Sequence, residues 1–277
     1  MADKAKSQPV PIPPVKPLPA SFVQEHDFAA RQYRGRRENQ EDYYAFADAT
    51  APEEEPLSRL LLVIGDGLGA HAGGSVASYL AVGSFIKSYH DNPLPEGWRL
   101  RVALEAANET LGLVSSRLPA VHNTMGTTLV ALLVTPTTLQ WISVGDSPLY
   151  LFREGSLKRI NADHSLAPLL QERVDRGDLT PEEAADHPDR HTLQSALLGY
   201  PLTMVDAKAA PISLQKGDII IAASDGLMTL NDKQMEELLS FGRHTTADKI
   251  ADALIFAIRR INHDRQDNAT LGVIKIS

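Results

Sequence analysis

Acidic residues stand at the ends of apolar runs at five places in the sequence: Glu41-Asp42, Asp66, Asp146, Asp225 and Asp267. Three of these places follow runs that are too apolar to lie at a protein surface. A carboxylate at the rim of a packed core is costly unless something pairs it. Several carboxylates that converge there repel one another unless cations lie between them. The arrangement therefore predicts a site for divalent cations.

The donor types indicate which cations would bind. Carboxylates, backbone carbonyls and water, without thiolates, suit Mg²⁺ or Mn²⁺ better than structural zinc. Glycines follow Asp66 and Asp225, and a glycine lets the backbone approach closely, so that a carbonyl can also bind metal. Each motif alone is typical of an ordinary turn or a solvated charge pair. The set of five predicts a site for two metal ions.

Such a site suits the hydrolysis of phosphate esters. Two hard cations can bind a bridging hydroxide and a phosphoryl oxygen together, and phosphate monoesters are among the slowest compounds to hydrolyse without a catalyst. Arg37, shortly before the first acidic pair, can hold two phosphate oxygens in a bidentate fork. The chain has no cysteine, which excludes phosphatases that attack through a thiolate.

Apolar runs and turns predict the elements that position these residues. Strand-like runs occupy residues 59–64, 127–134, 139–144, 149–152, 218–222 and 269–276. Several are joined by turns of hairpin length, which favours antiparallel sheets. Helical periodicity occurs over residues 76–86, 102–114 and 250–261. Long helices fall in pairs between blocks of strands, so we expect an α+β fold with helices packed outside antiparallel sheets.

The chain divides into a short tail and one larger domain. Residues 1–21 include six prolines and predict an extended or disordered tail, whose PxxP pattern from Pro14 to Pro17 could dock with a partner. Residues 22–277 contain no linker-like stretch and predict one globular domain. Within it, residues 163–190 are rich in charge, proline and histidine and predict short helices in a surface insertion beside the site.

Charge and hydropathy exclude several classes of protein. Lys and Arg number 27 and Asp and Glu number 35, so the formal net charge is −8. This balance does not suit general nucleic-acid binding, which depends on neutralising phosphates. No apolar run approaches the roughly 18 residues of a membrane-spanning helix, and no signal-peptide core is evident. We expect a soluble, cytoplasmic protein without nucleic-acid or membrane partners.

The order of the motifs resembles the PP2C-type (PPM) serine/threonine protein phosphatases, in their bacterial form. The motifs that carry the resemblance are Arg37…Glu41-Asp42, Asp66-Gly67, Met125-Gly-Thr-Thr128, Gly145-Asp146-Ser147, Ser224-Asp225-Gly226 and Asp267-Asn268. It covers about residues 31–277, and residues 179–188 look like part of the mobile flap of bacterial members. The resemblance implies an α-β-β-α sandwich of two antiparallel sheets flanked by helix pairs.

The resemblance also implies a Mn²⁺- or Mg²⁺-dependent enzyme that hydrolyses phosphoserine and phosphothreonine in proteins, with a Ser/Thr kinase supplying its substrates. Two metals, or three, would be bound. By this likeness Asp66 bridges two metals, Asp225 and Asp267 hold the first, and Glu41, the Gly67 carbonyl and ordered waters serve the second. Asp42 orients metal-bound water, either without touching the metal or as a weak ligand, and Arg37 binds phosphate.

Two roles stay open at this stage. Many bacterial members carry an Asp shortly before Met-Gly-Thr-Thr as a third-metal ligand, whereas residues 121–124 contain none; Asp146 and Asp225 are the remaining candidates for a third ion. His71 is a candidate general acid for the leaving alkoxide, although capping of the following helix is the favoured interpretation. His164 and His191 are interpreted as flap or surface residues.

Three other functions compete with catalysis. A catalytically weak phosphoprotein-binding module of the same fold is one, although the complete acidic set argues against it. A nucleotide-binding domain is suggested by the glycines in residues 65–69, but the run is not G-x-G-x-x-G, and Asp66 within it would repel a pyrophosphate. RNA binding is suggested by four arginines, whose simpler role is to attract phosphorylated substrate: Arg31, Arg34, Arg36 and Arg37.

Overall fold

Antiparallel strands and paired helices make up the part of the chain that the computed structural model describes, which is residues 22–49, 59–69, 73–117, 125–208 and 210–277. The strands are β1 (Phe28–Tyr33), β2 (Tyr43–Asp48), β3 (Leu60–Gly65), β4 (Gly67–Leu68), β5 (Gly126–Thr127), β6 (Leu129–Val134), β7 (Thr138–Val144), β8 (Leu149–Arg153), β9 (Ser156–Arg159), β10 (Asp206–Ala207), β11 (Ile212–Ser213), β12 (Ile219–Ala223) and β13 (Ala269–Lys275). The helices are α1 (Gly73–Asp91), α2 (Glu96–Arg117), α3 (Ala167–Asp175), α4 (Pro181–Ala185), α5 (Asp232–Gly242) and α6 (Ala247–Ile261). The predicted tail, residues 1–21, lies outside the described residues.

Two antiparallel sheets form the centre of the fold. The first sheet has the order β1-β13-β12-β8-β9, and the second has the order β10-β7-β6-β3-β2, with β11 also paired to β7. β4 and β5 form a small separate ribbon. The strand that precedes the glycine run, β3, is antiparallel to both of its neighbours. The run is therefore not part of a parallel dinucleotide-binding unit, which removes the nucleotide-binding alternative.

Three apolar layers hold the sheets and helices together. Leu62 and Ile64 of the second sheet pack against Ile220 and Ile274 of the first. Gly272 of the first sheet lies close to Leu62 of the second: a Cβ on Gly272 would lie 2.5 Å from Leu62 Cδ2, so no larger residue fits without movement. Another layer joins the second sheet to α1 and α2, and the third joins the first sheet to α5 and α6. The result is an α-β-β-α sandwich, as the resemblance implies.

The amphipathic helix α6 illustrates how the sequence directs this packing. Ile250, Leu254 and Ile258 recur every four residues and are all buried, which places one apolar face against the sheet. The helix begins after Thr246, which has extended backbone angles, and it ends at Asn262, where φ is +52°. A left-handed residue at that position stops a helix.

The antiparallel register brings the acidic positions to one edge of the sandwich. In the second sheet, Tyr43 at the start of β2 pairs with Gly65 at the end of β3. In the first sheet, Ala223 at the end of β12 pairs with Leu271 near the start of β13. Starts and ends of strands thus alternate along the same edge. Residues just before β2 and β13 therefore lie beside residues just after β3, β7 and β12.

Residues 163–190, the segment predicted as a flap and called the flap below, lie between β9 and β10 and contain the short helices α3 and α4. Thr180 Oγ1 accepts a hydrogen bond from Glu183 N at 3.1 Å, and Glu183 Oε2 accepts one from Thr180 N at 2.8 Å. This reciprocal capping explains how a helix as short as α4 forms. An antiparallel bridge between Ser165 and Leu193 closes the base of the flap.

Candidate metal centre

The acidic residues at this edge come from both sheets. The second sheet carries Glu41 and Asp42 before β2, Asp66 after β3 and Asp146 after β7, and the first carries Asp225 after β12 and Asp267 before β13. All six predicted acidic residues thus lie at the same edge of the sandwich. They come from distant parts of the sequence and are brought together by the strand register.

The carboxylates are close enough to perturb one another strongly. Burial raises the pKa of Asp66 well above its ordinary value, and the negative charges of Asp42, Asp225, Asp146 and Asp267 raise it further. Burial and the charge of Asp267 likewise raise the pKa of Asp225. Such crowding of like charges is unfavourable without a cation. It is the electrostatic pattern of a site that binds positive charge.

Asp42 has the lowest solvent exposure of the six acidic residues, at 4%. Its side chain accepts a hydrogen bond from Ser224 Oγ at 2.7 Å through Oδ2. The other oxygen, Oδ1, is buried and has no hydrogen-bond partner among the described residues. Burial raises the pKa of Asp42 to about 7, and Asp225 and Asp267 contribute. A buried carboxylate oxygen without a partner is costly, so Oδ1 is an available acceptor for water or an ion.

Asp146 lies in a turn that is packed against the flap. Burial raises the pKa of Asp146 to about 7, with contributions from Asp225 and Asp163, whereas the positive charge of Arg159 lowers it. Arg159 also donates a hydrogen bond to the backbone carbonyl of Asp146 at 2.7 Å. Asp146 is therefore near the other carboxylates, and its backbone is bonded to Arg159 at the end of β9, just before the flap.

Glycines allow Glu41 to come close to the β3–α1 connection. A Cβ on Gly67 would lie 2.2 Å from Gly74 O and 2.4 Å from Glu41 O, and a Cβ on Gly74 would lie 2.9 Å from Glu41 Oε2. Ser78 Oγ donates to the Glu41 carbonyl at 2.5 Å. Burial raises the pKa of Glu41, and Asp267 adds to this, whereas Arg37 opposes it. The Glu41 carboxylate thus lies against the first turn of α1.

Asn268 organises the loop before β2, a role that the sequence analysis did not assign. Asn268 Oδ1 accepts a hydrogen bond from Glu41 N at 2.7 Å. Its amide nitrogen donates to Arg34 O at 2.8 Å and to Asn39 O at 3.0 Å. The only sequence signal was its position beside Asp267, because nothing local indicates contacts with residues more than 220 positions away.

Arg37, the predicted phosphate ligand, is also at this edge. Its guanidinium donates a hydrogen bond to Asp267 Oδ2. The Asp267 contact raises the pKa of Arg37, as do the nearby charges of Asp225 and Glu41. The Arg37 side chain is more than half exposed, so it can reach a phosphate group that enters from solvent. To grip one in a bidentate manner, it must release or share Asp267.

The other arginines near Arg37 are engaged by the protein itself. Arg31 donates to Asp252 at 2.7 Å and to Glu25 at 3.1 Å. Arg36 donates to Asn262 at 2.6 Å, and Arg34 donates to a backbone carbonyl. They therefore form no continuous set of free cations, which argues against the RNA-binding alternative.

The donor chemistry fits hard divalent cations, although the present rotamers do not chelate one. In the described ranges, no group of three or more His, Asp or Glu side chains is arranged to hold a metal ion. One reason is the contact of Asp267 with Arg37. The donors are nevertheless carboxylates crowded at one edge, and Asp42 Oδ1 lacks a partner there. Carboxylate oxygens are the donors that hard cations such as Mg²⁺ and Mn²⁺ prefer.

The histidines differ from the expectation in one case. His164 is only 2% exposed, so of the two interpretations, flap or surface residue, the surface one is excluded. It lies at the buried base of the flap, and its Nδ1 accepts a hydrogen bond from Gly145 N at 3.2 Å. His191 is exposed and lies near enough to Asp225 to lower the pKa of that carboxyl. His71 lies outside the described residues.

The sequence of the chain matches a known family over most of its length. The family described as Protein phosphatase 2C matches residues 38–254. The chain belongs to this family. The PP2C match spans the acidic loop before β2, the second sheet, the flap, and strands β8, β9 and β12 of the first sheet, and it confirms the predicted family. Within the described residues, no helix combines the length and hydropathy needed to cross a bilayer.

Known PP2C relatives include bacterial serine/threonine phosphatases. The chain is 35% identical over 209 residues to the serine/threonine protein phosphatase PstP of Mycobacterium tuberculosis. The aligned region covers 72% of this chain and 36% of PstP. The chain thus spans about a third of that relative. It is 28% identical over 229 residues to the serine/threonine phosphatase stp of Listeria monocytogenes, covering 78% of this chain and 84% of the relative.

A solved structure of the PstP catalytic domain, described as a complex with two manganese ions, has the same fold. It is 30% identical, with a TM-score of 0.69 over 90% of this chain and 96% of that domain. This similarity confirms the predicted α+β class with two antiparallel sheets and flanking helices.

Proposed function

We propose that this chain is a metal-dependent protein phosphatase that hydrolyses phosphoserine and phosphothreonine in proteins. The observation that carries the proposal is the crowding of Asp66, Asp225 and Asp267 at one edge of the sandwich, beside Arg37. The names of its PP2C relatives, which are serine/threonine phosphatases, support the same reaction. The two manganese ions of the related PstP domain support the metal requirement.

The carboxylates would hold the ions in the following roles. Asp66 would bridge two ions, Asp225 and Asp267 would hold the first, Glu41 and the Gly67 carbonyl would serve the second, and Asp146 with Asp225 would hold a third. When bound, Mn²⁺ or Mg²⁺ supplies Lewis acidity and lowers the pKa of water for attack on phosphorus.

The remaining residues of the site would bind and orient the reactants. Arg37 would hold two oxygens of the phosphoryl group and neutralise their charge. Ser224 fixes Asp42 by donating to Oδ2, so that the unpartnered Oδ1 can accept a hydrogen bond from the attacking water and orient it. His71 stays a candidate donor of the proton to the leaving alkoxide.

The substrates would be phosphorylated proteins of a cognate Ser/Thr kinase. We place them in the cytoplasm, because ATP-dependent protein phosphorylation takes place there. Residues 1–21, with their PxxP pattern, would provide a docking segment for an aromatic groove on a partner.

The test is hydrolysis of p-nitrophenyl phosphate and of a phosphothreonine peptide, with metals added one at a time to chelator-treated protein. We expect turnover with Mn²⁺ or Mg²⁺ and none with chelator. Peptide binding without turnover under any metal would instead indicate the phosphoprotein-binding module. Turnover that persists in excess chelator would contradict the proposal.

A further inference from the structure

The segment that leads from β9 into the flap, residues 160–164, forms hydrogen bonds with the turn that carries Asp146, residues 145–148, and with the first residue of β8. Asn161 Nδ2 donates to Ser147 O at 2.9 Å, and Asn161 Oδ1 accepts from Leu149 N at 2.8 Å. His164 Nδ1 accepts from Gly145 N at 3.2 Å, and His164 N donates to Gly145 O at 3.2 Å. Both backbone groups of Gly145 are thus held by His164.

The turn needs such support because of its backbone. Gly145 has φ +102°, and a Cβ at this position would lie 2.6 Å from Thr128 Cγ2. Only glycine adopts this geometry without strain. Asn161 and His164 are both buried, and a buried polar side chain is tolerated when its hydrogen bonds are made. Here those bonds go to the turn.

The same turn is connected to Asp66. Ser147 Oγ and Thr128 Oγ1 share a hydrogen bond of 2.7 Å. Thr128 Oγ1 also accepts from Asp66 N at 3.1 Å, and Thr128 N donates to Asp66 O at 2.9 Å. A continuous series of hydrogen bonds therefore runs from the turn to the backbone of the central carboxylate.

On its other side, His164 is bound to the base of the flap. His164 O accepts from Gln194 N at 2.8 Å, and Gln194 Nε2 donates to Ser165 O at 2.7 Å. Leu166 N donates to Thr192 O at 3.0 Å. The two ends of the flap are therefore joined beside the residue that holds Gly145.

We propose that His164 is a positioning residue, which fixes Asp146 through Gly145 and ties the base of the flap to the metal centre. This inference rests on the proposed function, because Asp146 acts there as a metal ligand. The imidazole must present an unprotonated Nδ1 to Gly145 N, so the proton of the neutral ring lies on Nε2. Asn161 completes the same support from the far end of the turn.

The test compares three variants. His164→Leu removes the acceptor, His164→Asn keeps an acceptor at a similar position, and His187→Leu is the control. His187 is a half-buried flap histidine whose Nδ1 accepts a local bond, from Asp189 N at 3.2 Å. We expect His164→Leu to lower kcat on p-nitrophenyl phosphate and to raise the Mn²⁺ requirement, each about tenfold, with KM nearly unchanged. His164→Asn should restore most of the loss, and the control should match wild type.

A double-mutant cycle separates positioning from general destabilisation. If His164 acts through Asp146, His164→Leu combined with Asp146→Asn should lose no more activity than Asp146→Asn alone. Losses that multiply would overturn the proposal. If His164→Leu does not fold, Arg159→Gln takes its place in the cycle, because Arg159 also holds the Asp146 carbonyl.

Amide hydrogen exchange on the metal-free protein gives a readout that does not depend on activity. His164→Leu should speed exchange at Gly145 and Ser147, and His187→Leu should not. Unchanged exchange at Gly145 would overturn the proposal. A wild-type protein without phosphatase activity would count against the proposed function alone, since the exchange result would still decide the role of His164.

Discussion

Asn268 and Glu41, which are 227 residues apart, are joined by a hydrogen bond of 2.7 Å from the Glu41 backbone N–H to the Asn268 side chain. The bond crosses from the start of the last strand in one sheet to the loop before β2 in the other. It therefore fixes the position of a predicted metal ligand by a residue that would not itself bind metal.

Replacing Asn268 by Ala should lower both stability and activity. The change leaves Glu41 N and two carbonyls without their partner, which should reduce the free energy of unfolding by about 1–3 kcal/mol. Because Glu41 loses its support, the Mn²⁺ requirement for p-nitrophenyl phosphate hydrolysis should rise as well. Asn231→Ala is the matched control: Asn231 caps α5, so its loss should cost about 1 kcal/mol and leave the Mn²⁺ requirement unchanged.

Arg37→Ala should weaken binding of the phosphoryl group. The guanidinium is exposed and contacts Asp267, and the charges of Asp225 and Glu41 are near enough to raise its pKa. Its loss should therefore raise KM for a phosphothreonine peptide and weaken inhibition by inorganic phosphate, each about tenfold. Arg37→Lys should recover only part, because an ammonium lacks the bidentate fork. Arg36→Ala is the control, because Arg36 is a neighbouring exposed arginine bonded to Asn262, and it should behave like wild type. Equal effects of Arg36→Ala and Arg37→Ala would show that Arg37 is not part of the site.

Asp225→Asn should abolish activity without unfolding the protein. Metal-free Asp225→Asn should be at least as stable as metal-free wild type, because one negative charge leaves a crowded group. Mn²⁺ should raise the melting temperature of wild type by mass action and should have little effect on the variant. The measurements are thermal unfolding with and without Mn²⁺ and turnover of p-nitrophenyl phosphate. Wild-type turnover by Asp225→Asn would contradict the assignment of the site.

Acid stability should depend on Asp27, which lies far from the metal centre. Burial acts to raise the pKa of Asp27, but hydrogen bonds from Val23 N, Ser277 and His26 outweigh it and lower the pKa below its ordinary 3.8. A lowered pKa contributes stability that is present above about pH 4 and is lost as the pH falls through the folded-state value. When the free energy of unfolding is measured as a function of pH, Asp27→Asn should therefore reduce its fall below about pH 4. Asp175→Asn, at an exposed position of α3, is the control and should leave that fall unchanged.

Much of the site could be predicted because its signals are local. The apolar run at 59–64 matches β3, Leu60–Gly65, and an acidic residue at the end of such a run must lie at the rim of the core. β1 and β2 were not predicted, since each lies at the edge of a sheet and mixes polar with apolar residues. α5 was also missed, although Asn231 and Gln234 form a capping box that marks its start.

The contacts that support the site could not be read in the same way. His164 is buried where its backbone and ring bond to Gly145 and its carbonyl bonds to Gln194, and no periodicity in residues 163–190 indicates these contacts. Asn268 bonds to the loop before β2 across the two sheets, so this contact cannot be inferred from its sequence neighbours. Contacts between distant segments are set by tertiary packing and leave no local pattern in the sequence. The metal-site carboxylates could be predicted because each is next to an apolar run.

The placement of Asp66 on one sheet and of Asp225 and Asp267 on the other has a mechanical consequence. An ion shared by these carboxylates would also be a cross-link between the two halves of the sandwich. Gain or loss of that ion would then stiffen or loosen the rim of the domain, so metal supply would change the rigidity of the protein as well as the chemistry proposed for it.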